Sequence, residues 1–236
     1  MQRQPTSCAL SFSGGKDSML ALDRAIRRGW PVTYLLNLYD EASERVRFHG
    51  VHTALIQAQA DALGIPLLSK PTLPDTFEQV FLEALDDLRG RGVDAIIFGN
   101  IHLADVRAWY EERTTGHSLL HLEPLWGEPV EALAREVILR GYHAVLTSVE
   151  LARAKEIWLG QPLSAALIAE FSAAGIDICG ERGEYHTFVS NGPLFRSPVH
   201  ISLGERVSMP GYALIDILLE QPVPQPTLQA SANPSA

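Results

Sequence analysis

A short glycine-containing turn at residues 13–18, with the sequence SGGKDS, carries the clearest chemistry in this chain. Its two glycines allow the backbone to turn sharply and to approach a ligand closely. The amide groups that follow, and the positive end of the helix predicted after them, favour a bound anion. We therefore predict that the turn binds phosphate groups, with Lys16 as a mobile charge exposed to solvent when no ligand is bound. The predicted binding residues are Ser13, Gly14, Gly15, Lys16, Asp17 and Ser18.

The turn differs from a Walker A motif, in which four residues separate the first glycine from Gly-Lys-Ser/Thr. In this chain the lysine is followed by Asp17. That carboxylate has two alternative roles, to position a magnesium ion that accompanies the phosphates or to cap the helix. Lysine is also scarce, because only Lys16, Lys70 and Lys155 are lysines among the 19 basic residues. A lysine inside this turn is therefore a functional candidate.

A second cluster of chemically active side chains lies at residues 179–189, with the sequence CGERGEYHTFV. Glu181 and Glu184 each follow a glycine, which leaves the backbone open to a ligand. These acids can bind an ammonium nucleophile, hold a cationic acceptor or take up a proton. Alternatively, they cap a turn or pair with an arginine. Thr187 has similar alternatives, since it is either a hydrogen-bonding partner of the substrate or an ordinary strand residue.

Both clusters resemble a known family. The turn is similar to the PP-loop of the N-type ATP pyrophosphatases, which cleave ATP between its α- and β-phosphates. Residues 179–189, with GPLF after Asn191, are similar to the GEGGEYETFV…GPLF block of the diphthine–ammonia ligase family. Further family blocks match in the same order at residues 98–99, 124–127 and 158–160, so the resemblance covers about residues 8–220. The chain departs from the pattern at Arg182, where the family has glycine, and at His186, where it has an acid.

The resemblance implies a HUP-like nucleotide domain and an AMP-producing ligase that uses ATP with Mg²⁺. An acceptor carboxylate is adenylated with release of pyrophosphate, and ammonia then displaces AMP. The family's acceptor is diphthine, a modified histidine on a translation elongation factor. Two alternatives stay open, a PP-loop enzyme that adenylates a different small-molecule or nucleobase acceptor, and an ATP-binding sensor without turnover. The residues expected to act in catalysis are Lys16, Asp17, Glu181 and Glu184, and further nucleotide contacts are expected at Leu38 and Gly99.

Residues 100–113 follow the fourth predicted strand and so fall at the ligand edge of the predicted sheet. Arg107 is the predicted substrate-binding residue of this segment, and its alternative partner is Glu111, four residues later. Glu181, Glu184 and Thr187 complete the predicted substrate contacts. Two histidine pairs have spacings that zinc sites use, His49 with His52 and His117 with His121. No further side chain completes a ligand set in the sequence, so we predict no resident metal.

Short apolar runs alternate with helical patterns through the first half of the chain. The predicted strands cover residues 8–13, 32–38, 66–69, 94–98 and 119–122, and the predicted helices cover residues 18–28, 51–63 and 77–88. This alternation is typical of a parallel sheet covered by helices, and the continuous apolar run at residues 32–38 fits a strand buried on both faces. We predict the α/β class, with a doubly wound parallel sheet.

The pattern changes after residue 125. A helical repeat, a strand at residues 142–147, a second helix and a strand-rich end predict a smaller α+β domain. We therefore divide the chain into an ATP-binding domain at residues 1–125, an acceptor domain at residues 126–220 and a disordered tail at residues 221–236.

Composition narrows the class of protein. The formal net charge of −9 weighs against direct nucleic-acid binding, which relies on Lys and Arg to neutralise phosphates. The sequence has no apolar run long enough to span a bilayer and no signal-peptide pattern at its start. Its two cysteines, Cys8 and Cys179, cannot form a disulfide framework. These observations predict a cytoplasmic protein without membrane partners, and the sequence leaves its oligomeric state open.

Overall fold

A computed structural model describes residues 4–220 of the chain, and the predicted tail at residues 221–236 lies outside that range. The first half contains six strands and four helices. The strands are β1 (Cys8–Ser11), β2 (Val32–Asp40), β3 (Arg45–Val46), β4 (Leu67–Thr72), β5 (Ala95–Ile97) and β6 (Leu120–Leu122). The helices are α1 (Lys16–Arg27), α2 (Thr53–Leu63), α3 (Phe77–Gly90) and α4 (Ala104–Gly116). The helix α4 overlaps residues 100–113, for which the sequence predicted a position at the ligand edge of the sheet but no helix.

The first sheet is parallel apart from β3. Its strands follow the order β4, β2, β1, β5, β6, so successive connections move outward from β1 first in one direction and then in the other. This is the doubly wound order, and it confirms the predicted fold class. The short β3 pairs antiparallel with Tyr39 and Asp40 at the end of β2. Because β4 occupies the other side of those residues, β3 lies beyond the carboxyl end of β1.

Strand residues alternate between two apolar layers, which explains why helices cover both faces of the first sheet. Leu10 belongs to a large core cluster that includes residues of α1 and α2, whereas its neighbour Ala9 packs in a second cluster with α3. On β5, Ile97 belongs to the large cluster and its neighbour Ile96 belongs to the second cluster. A strand buried on both sides is apolar at most positions, and the long apolar runs in the sequence follow from that requirement.

The second half forms an antiparallel sheet with two helices. Its elements are α5 (Val130–Leu139), β7 (His143–Glu150), a short 3₁₀ helix (Glu156–Trp158), α6 (Ala165–Ala174), β8 (Tyr185–Asn191), β9 (Ile201–Met209) and β10 (Tyr212–Leu219). The strand order is β8, β7, β10, β9. This arrangement confirms the predicted α+β character. Within residues 4–220, no helix is both long and apolar enough to cross a membrane.

The two sheets share one core. The large cluster joins Leu20 of α1 and Ile56 of α2 to Leu146 of β7 and Phe188 of β8. The boundary near residue 126 therefore stays a prediction, since side chains from both halves pack in the same apolar volume.

A buried aspartate links the first helix to the second half of the chain. Asp23 is fully buried and accepts hydrogen bonds from Arg27, Arg140 and the hydroxyl of Tyr142, at 2.6–2.9 Å for the closest contacts. Burial favours the protonated acid, but these donors outweigh it and hold the pKa of Asp23 below its usual value. The network fixes α1 against the end of α5 and the start of β7.

We expect Asp23→Ala to lower the free energy of unfolding by about 2–4 kcal/mol, because it removes charge-assisted bonds and leaves the Tyr142 hydroxyl buried without its acceptor. The matched control is Asp61→Ala, which removes an exposed helix carboxylate that accepts a hydrogen bond from Gln57 and should change stability by about 0.5 kcal/mol or less. Urea unfolding measures both. Equal losses in the two variants would contradict this role for Asp23.

Candidate active site

Two adjoining cavities lie at the carboxyl ends of the central strands, where open α/β sheets bind ligands. The apolar cavity, of about 440 Å³, is lined by Phe12, Leu36, Asn37, Leu38, Arg47, Phe77 and Phe81 among others. The polar cavity, of about 300 Å³, is lined by Gly15, Asp17, Ser18, Gly99, Glu181, Tyr185 and His186 among others. Ser11, Ser13, Phe48, His49 and Tyr110 line both. The two cavities therefore form one cleft.

The glycine turn forms the floor of this cleft. Gly14 has a φ of +77°, and a Cβ added there would lie 2.3 Å from the side-chain oxygen of Gln59. A Cβ on Gly15 would lie 2.7 Å from the ring of His49. Both positions thus need glycine, as the motif predicted. Helix α1 begins at Lys16, inside the motif and directly after Gly15, so its positive N-terminal end faces the polar cavity.

The end of β5 lies against the first turn of α1. A Cβ on Gly99 would come within 3.0 Å of the backbone of Asp17. Glycine at this position therefore allows a close backbone approach. Gly99 lines the polar cavity, and its contact with a nucleotide stays a prediction. Leu38, the other predicted contact, lines the apolar cavity at the end of β2.

The glycine turn at residues 13–18 is connected to strand β8 by several hydrogen bonds. The backbone N–H of Val189 donates to the Gly14 carbonyl at 3.0 Å, and the N–H of Lys16 donates to Thr187 Oγ1 at 3.0 Å. Gln59 is buried and bridges the two segments, since its amide donates to the carbonyls of Gly14 and Val189. Thr187 thus contacts the turn itself, and it lines neither cavity.

The expected exposure of Lys16 is wrong, because only 3% of the residue is accessible. Its ammonium group donates to Asp17 Oδ2 at 2.8 Å and to the carbonyl of Cys179, and it lies 4.8 Å from the ring centroid of Tyr185. The reason is that the loop before β8 folds over the start of α1. Burial disfavours the ammonium ion, but the Asp17 carboxylate outweighs it and raises the pKa of Lys16. Lys16 is charged and already paired.

The two predicted acids occupy different surroundings. Glu181 lines the polar cavity beside Asp17, and its carboxylate accepts from the N–H groups of Ile101 and His102 at 2.5 and 2.8 Å. Burial raises the pKa of Glu181, while these two donors oppose the shift. Glu184 is 2% exposed, accepts from Arg153 at 2.9 Å and does not line the cleft. Only Glu181 is placed to reach a ligand there.

His102, Asp177 and Glu181 form a compact group at the edge of the polar cavity. One possible metal-ligand atom from each residue, a ring nitrogen or a carboxylate oxygen, lies within 4.8 Å of the other two. This is the only such group of three among residues 4–220. The two ring nitrogens of His102 face the two carboxylates, at 2.5 Å from Asp177 and 3.2 Å from Glu181. This geometry fits a hydrogen-bonded chain that joins residues after β5 to the loop before β8. It does not present three free ligand atoms to one ion.

Arg107 lies outside the cleft. Its guanidinium contacts Glu123 at 3.1 Å and Glu111 at 3.5 Å, and it lies 4.6 Å from the ring centroid of Trp126. The alternative ion pair with Glu111 is therefore present in the structure. The predicted substrate contact of Arg107 stays a prediction, and it would require this arginine to leave two carboxylates.

Sequence reasoning missed a pair of histidines between the two cavities. His49 Nδ1 lies 3.1 Å from the carbonyl of Thr187, and the two histidine rings have centroids 4.5 Å apart. Nε2 of His186 is buried and has no hydrogen-bond partner among residues 4–220. Burial lowers the pKa of His49 to about 4 and that of His186 well below its usual value. No spacing signal links these residues, because the pair forms only when β8 packs beside the segment after β3.

The thiol of Cys179 is not an active nucleophile in this arrangement. It is buried and donates to the carbonyl of Val130 at 3.2 Å. Burial raises its pKa well above the usual value for a thiol, so the thiolate is disfavoured.

Comparison with known proteins gives a consistent result. Two family models match, the diphthamide synthase N-terminal domain over residues 6–117 and the diphthamide synthase C-terminal domain over residues 129–218. The chain is 30% identical over 223 residues to a diphthine–ammonia ligase of Danio rerio, covering 83% of this chain and 86% of that protein. It is 26% identical over 232 residues to the Rattus norvegicus diphthine–ammonia ligase, covering 84% of each.

Two solved structures are similar at lower sequence identity. One, from Methanocaldococcus jannaschii, is described as a predicted subunit of a tRNA methyltransferase; the match has a TM-score of 0.44 and 14% identity, covering 78% of this chain and 96% of that one. The other is a U34-tRNA thiolase from Methanococcus maripaludis, with a TM-score of 0.38 and 18% identity over 58% of this chain and 57% of that one.

The buried histidines predict how stability depends on pH. In the unfolded chain a histidine takes up a proton below about pH 6.5, whereas folded His49 stays neutral down to a pKa of about 4. The unfolded state therefore binds more protons in this window, and the free energy of unfolding should fall as the pH falls, by up to about 1.4 kcal/mol per pH unit for each such histidine.

We expect His49→Gln to show a shallower decline between pH 6.5 and 4 than the wild type, measured by urea unfolding at several pH values. The matched control is His143→Gln, at an exposed histidine, which should leave the slope unchanged. A slope in His49→Gln equal to that of the wild type would contradict the neutral state of His49.

Proposed function

Because the chain belongs to the diphthamide synthase family, we propose that it is an ATP-dependent ligase that joins ammonia to an acceptor carboxylate through an adenylated intermediate. One observation carries the proposal: the phosphate turn and Glu181 face the same polar cavity, and this cavity opens into an apolar one. An anion-binding floor, a carboxylate and an apolar chamber are what a nucleotide and a second substrate need in one place.

In this proposal ATP lies across both cavities. The adenine occupies the apolar cavity near Leu38 and Phe77, and the phosphates lie over the turn at the N-terminal end of α1. The Mg²⁺ ion that accompanies ATP belongs to the substrate. Asp17, which lines the polar cavity, is the acid of the turn that would position this ion. The buried ammonium group of Lys16 holds the turn in place, because it donates to Asp17 and to the carbonyl of Cys179.

The reaction then proceeds in two displacements. An oxygen of the acceptor carboxylate attacks the α-phosphorus, the bond to the β-phosphate breaks, and pyrophosphate leaves. Ammonia next attacks the acyl carbon, AMP leaves, and the nitrogen loses a proton. Glu181 is the proposed acceptor of that proton, since it lines the cavity and burial raises its pKa. The amides of the turn neutralise the charge that develops on phosphate oxygens.

The identity of the acceptor is the second part of the proposal. The curated relatives are named diphthine–ammonia ligases, which favours a diphthine-like acceptor, here carried on a protein such as a translation elongation factor. His186 favours the second candidate, a different acceptor, because its neutral ring lines the polar cavity where the family pattern has an acid. An ATP sensor without turnover is the remaining alternative, and the product assay below separates it.

We also propose a cytoplasmic location. Cys8 and Cys179 are both free and buried, which suits a reducing compartment. The net charge of −9 fits a protein that does not bind nucleic acid directly.

The first test is the identity of the nucleotide product. With ATP, Mg²⁺, ammonium and an elongation factor carrying diphthine, we expect AMP and pyrophosphate in equal amounts, separated by ion-exchange chromatography. The reason is that the turn lacks the Walker A spacing that serves γ-phosphate transfer. ADP as the main product would overturn the adenylation step. ATP binding without any product would exclude the diphthine acceptor, and it would indicate the sensor if no other carboxylate acceptor releases pyrophosphate either.

The second test separates the two acids. Glu181→Gln should bind ATP about as well as the wild type and form amide at least roughly 10²-fold more slowly, because it removes a proton acceptor from the cavity. Glu184→Gln should instead lower the free energy of unfolding by about 1–3 kcal/mol, since it breaks the buried contact with Arg153. Calorimetric ATP binding, amide formation and urea unfolding measure these three effects.

The control for this pair is Glu112→Gln, at a carboxylate that is 81% exposed and should affect neither property. A Glu181→Gln enzyme with wild-type amide formation would show that this carboxylate is structural. Loss of ATP binding in that variant, with the fold intact, would place Glu181 on the nucleotide side instead.

A further inference from the structure

The cleft needs a free positive charge if it holds a polyphosphate, because two carboxylates, those of Asp17 and Glu181, already line its polar cavity. Lys16 does not supply one, since Asp17 already neutralises it. Arg107 is paired with Glu123 outside the cleft, and Arg153 is paired with Glu150 and Glu184. Lys16 and Arg107, the two cations that motif reasoning selected, are therefore occupied, and so is Arg153.

Arg47 is different. It lines the apolar cavity, and its Nη2 is buried without a hydrogen-bond partner among residues 4–220. Its guanidinium lies over an aromatic ring, with the guanidinium carbon 5.7 Å from the ring centroid of Phe77. That distance is near the outer limit of about 6 Å for a cation–π interaction, and such a contact leaves the N–H groups unsatisfied.

No acid in the described structure forms an ion pair with Arg47. Its charge has only a minor influence on the pKa of Asp40, which is held low mainly by hydrogen bonds from Ser43. Asp40 is also at the far end of β2 and accepts from Ser43 at 2.8–2.9 Å. A buried donor without an acceptor costs free energy, so an anionic ligand that meets it gains more than it would at an exposed arginine.

The backbone that carries Arg47 is held in place above the phosphate turn. Strand β3 pairs with the end of β2 beyond the carboxyl end of β1, and Arg47 directly follows β3. Phe48 has a φ of 65°, in the left-handed region, and its carbonyl accepts from Ser148 Oγ at 2.7 Å. His49, the next residue, contacts Gly15 of the turn. The segment therefore places Arg47 between the adenine side of the cleft and the turn.

We propose that Arg47 binds the α-phosphate of the nucleotide, and thereby holds the group that is attacked by the acceptor and retained in AMP. The proposal rests on the nucleotide site described under the proposed function. The α-phosphate joins adenosine to the outer phosphates, so it must lie where the apolar cavity meets the turn. A guanidinium can donate two parallel hydrogen bonds to phosphate oxygens, which suits this position better than an ammonium group does.

The test compares three ligands that differ only in phosphate. Calorimetry measures the affinity of the full chain for ATP with Mg²⁺, for AMP and for adenosine, in the wild type and in Arg47→Gln. We expect Arg47→Gln to weaken ATP and AMP by roughly 10- to 100-fold, the range of a charge-assisted hydrogen bond, and adenosine by less than about twofold. Arg47→Lys should lie between the two, because it keeps the charge and loses the paired donors.

The matched control is Arg91→Gln. Arg91 is exposed, and its guanidinium also lies over an aromatic ring, 5.6 Å from the centroid of Tyr34, but it lines neither cavity of the cleft. This variant should bind all three ligands as the wild type does.

Two results would overturn the role of Arg47 alone. Unchanged AMP affinity in Arg47→Gln would remove the phosphate contact, and an equal loss for adenosine would show that the guanidinium stacks on the base. If the wild type binds neither ATP nor AMP, the nucleotide site itself is wrong, and the proposed function fails together with this inference.

Discussion

The structure of the cleft depends on one contact, the attachment of the glycine turn at residues 13–18 to strand β8. A glycine turn alone is too flexible to hold its amide groups toward a ligand, because glycine has the largest conformational freedom to lose. Here the N–H of Val189 donates to the carbonyl of Gly14, and the N–H of Lys16 donates to the hydroxyl of Thr187. The side chain of Gln59 bridges the turn and β8. A segment from the second half of the chain thus orders the turn in the first half.

The same contact explains the state of Lys16. Once β8 lies beside the turn, the loop before it covers the start of α1 and presents the carbonyl of Cys179 to the ammonium group. Asp17 then supplies the opposite charge. A lysine buried in this way is an ion-paired part of the floor, and a free cation for the cleft has to come from another segment. Arg47, whose Nη2 has no hydrogen-bond partner among residues 4–220, meets that requirement.

Sequence reasoning succeeded where the determining interactions are local. The apolar runs predicted the parallel sheet, and the glycines predicted the turn, since a strand buried on both faces and a positive φ at Gly14 each leave a signal in neighbouring residues. It failed where partners are distant in the chain. The burial of Lys16 depends on Cys179, and the His49 pair depends on His186; neither dependence produces a period or a spacing.

The distribution of charge divides the cleft into two sides. Asp17 and Glu181 line the polar cavity, whereas Arg47 lines the apolar one. An acid in place of His186 would add a third carboxylate to the polar side, and mutual repulsion would make that side a site for a strongly cationic group. The buried, neutral ring of His186 leaves less negative charge there and a free Nε2 for hydrogen bonding. We therefore propose that the presence of His186, where the family pattern has an acid, changes the acceptor that the polar cavity can bind.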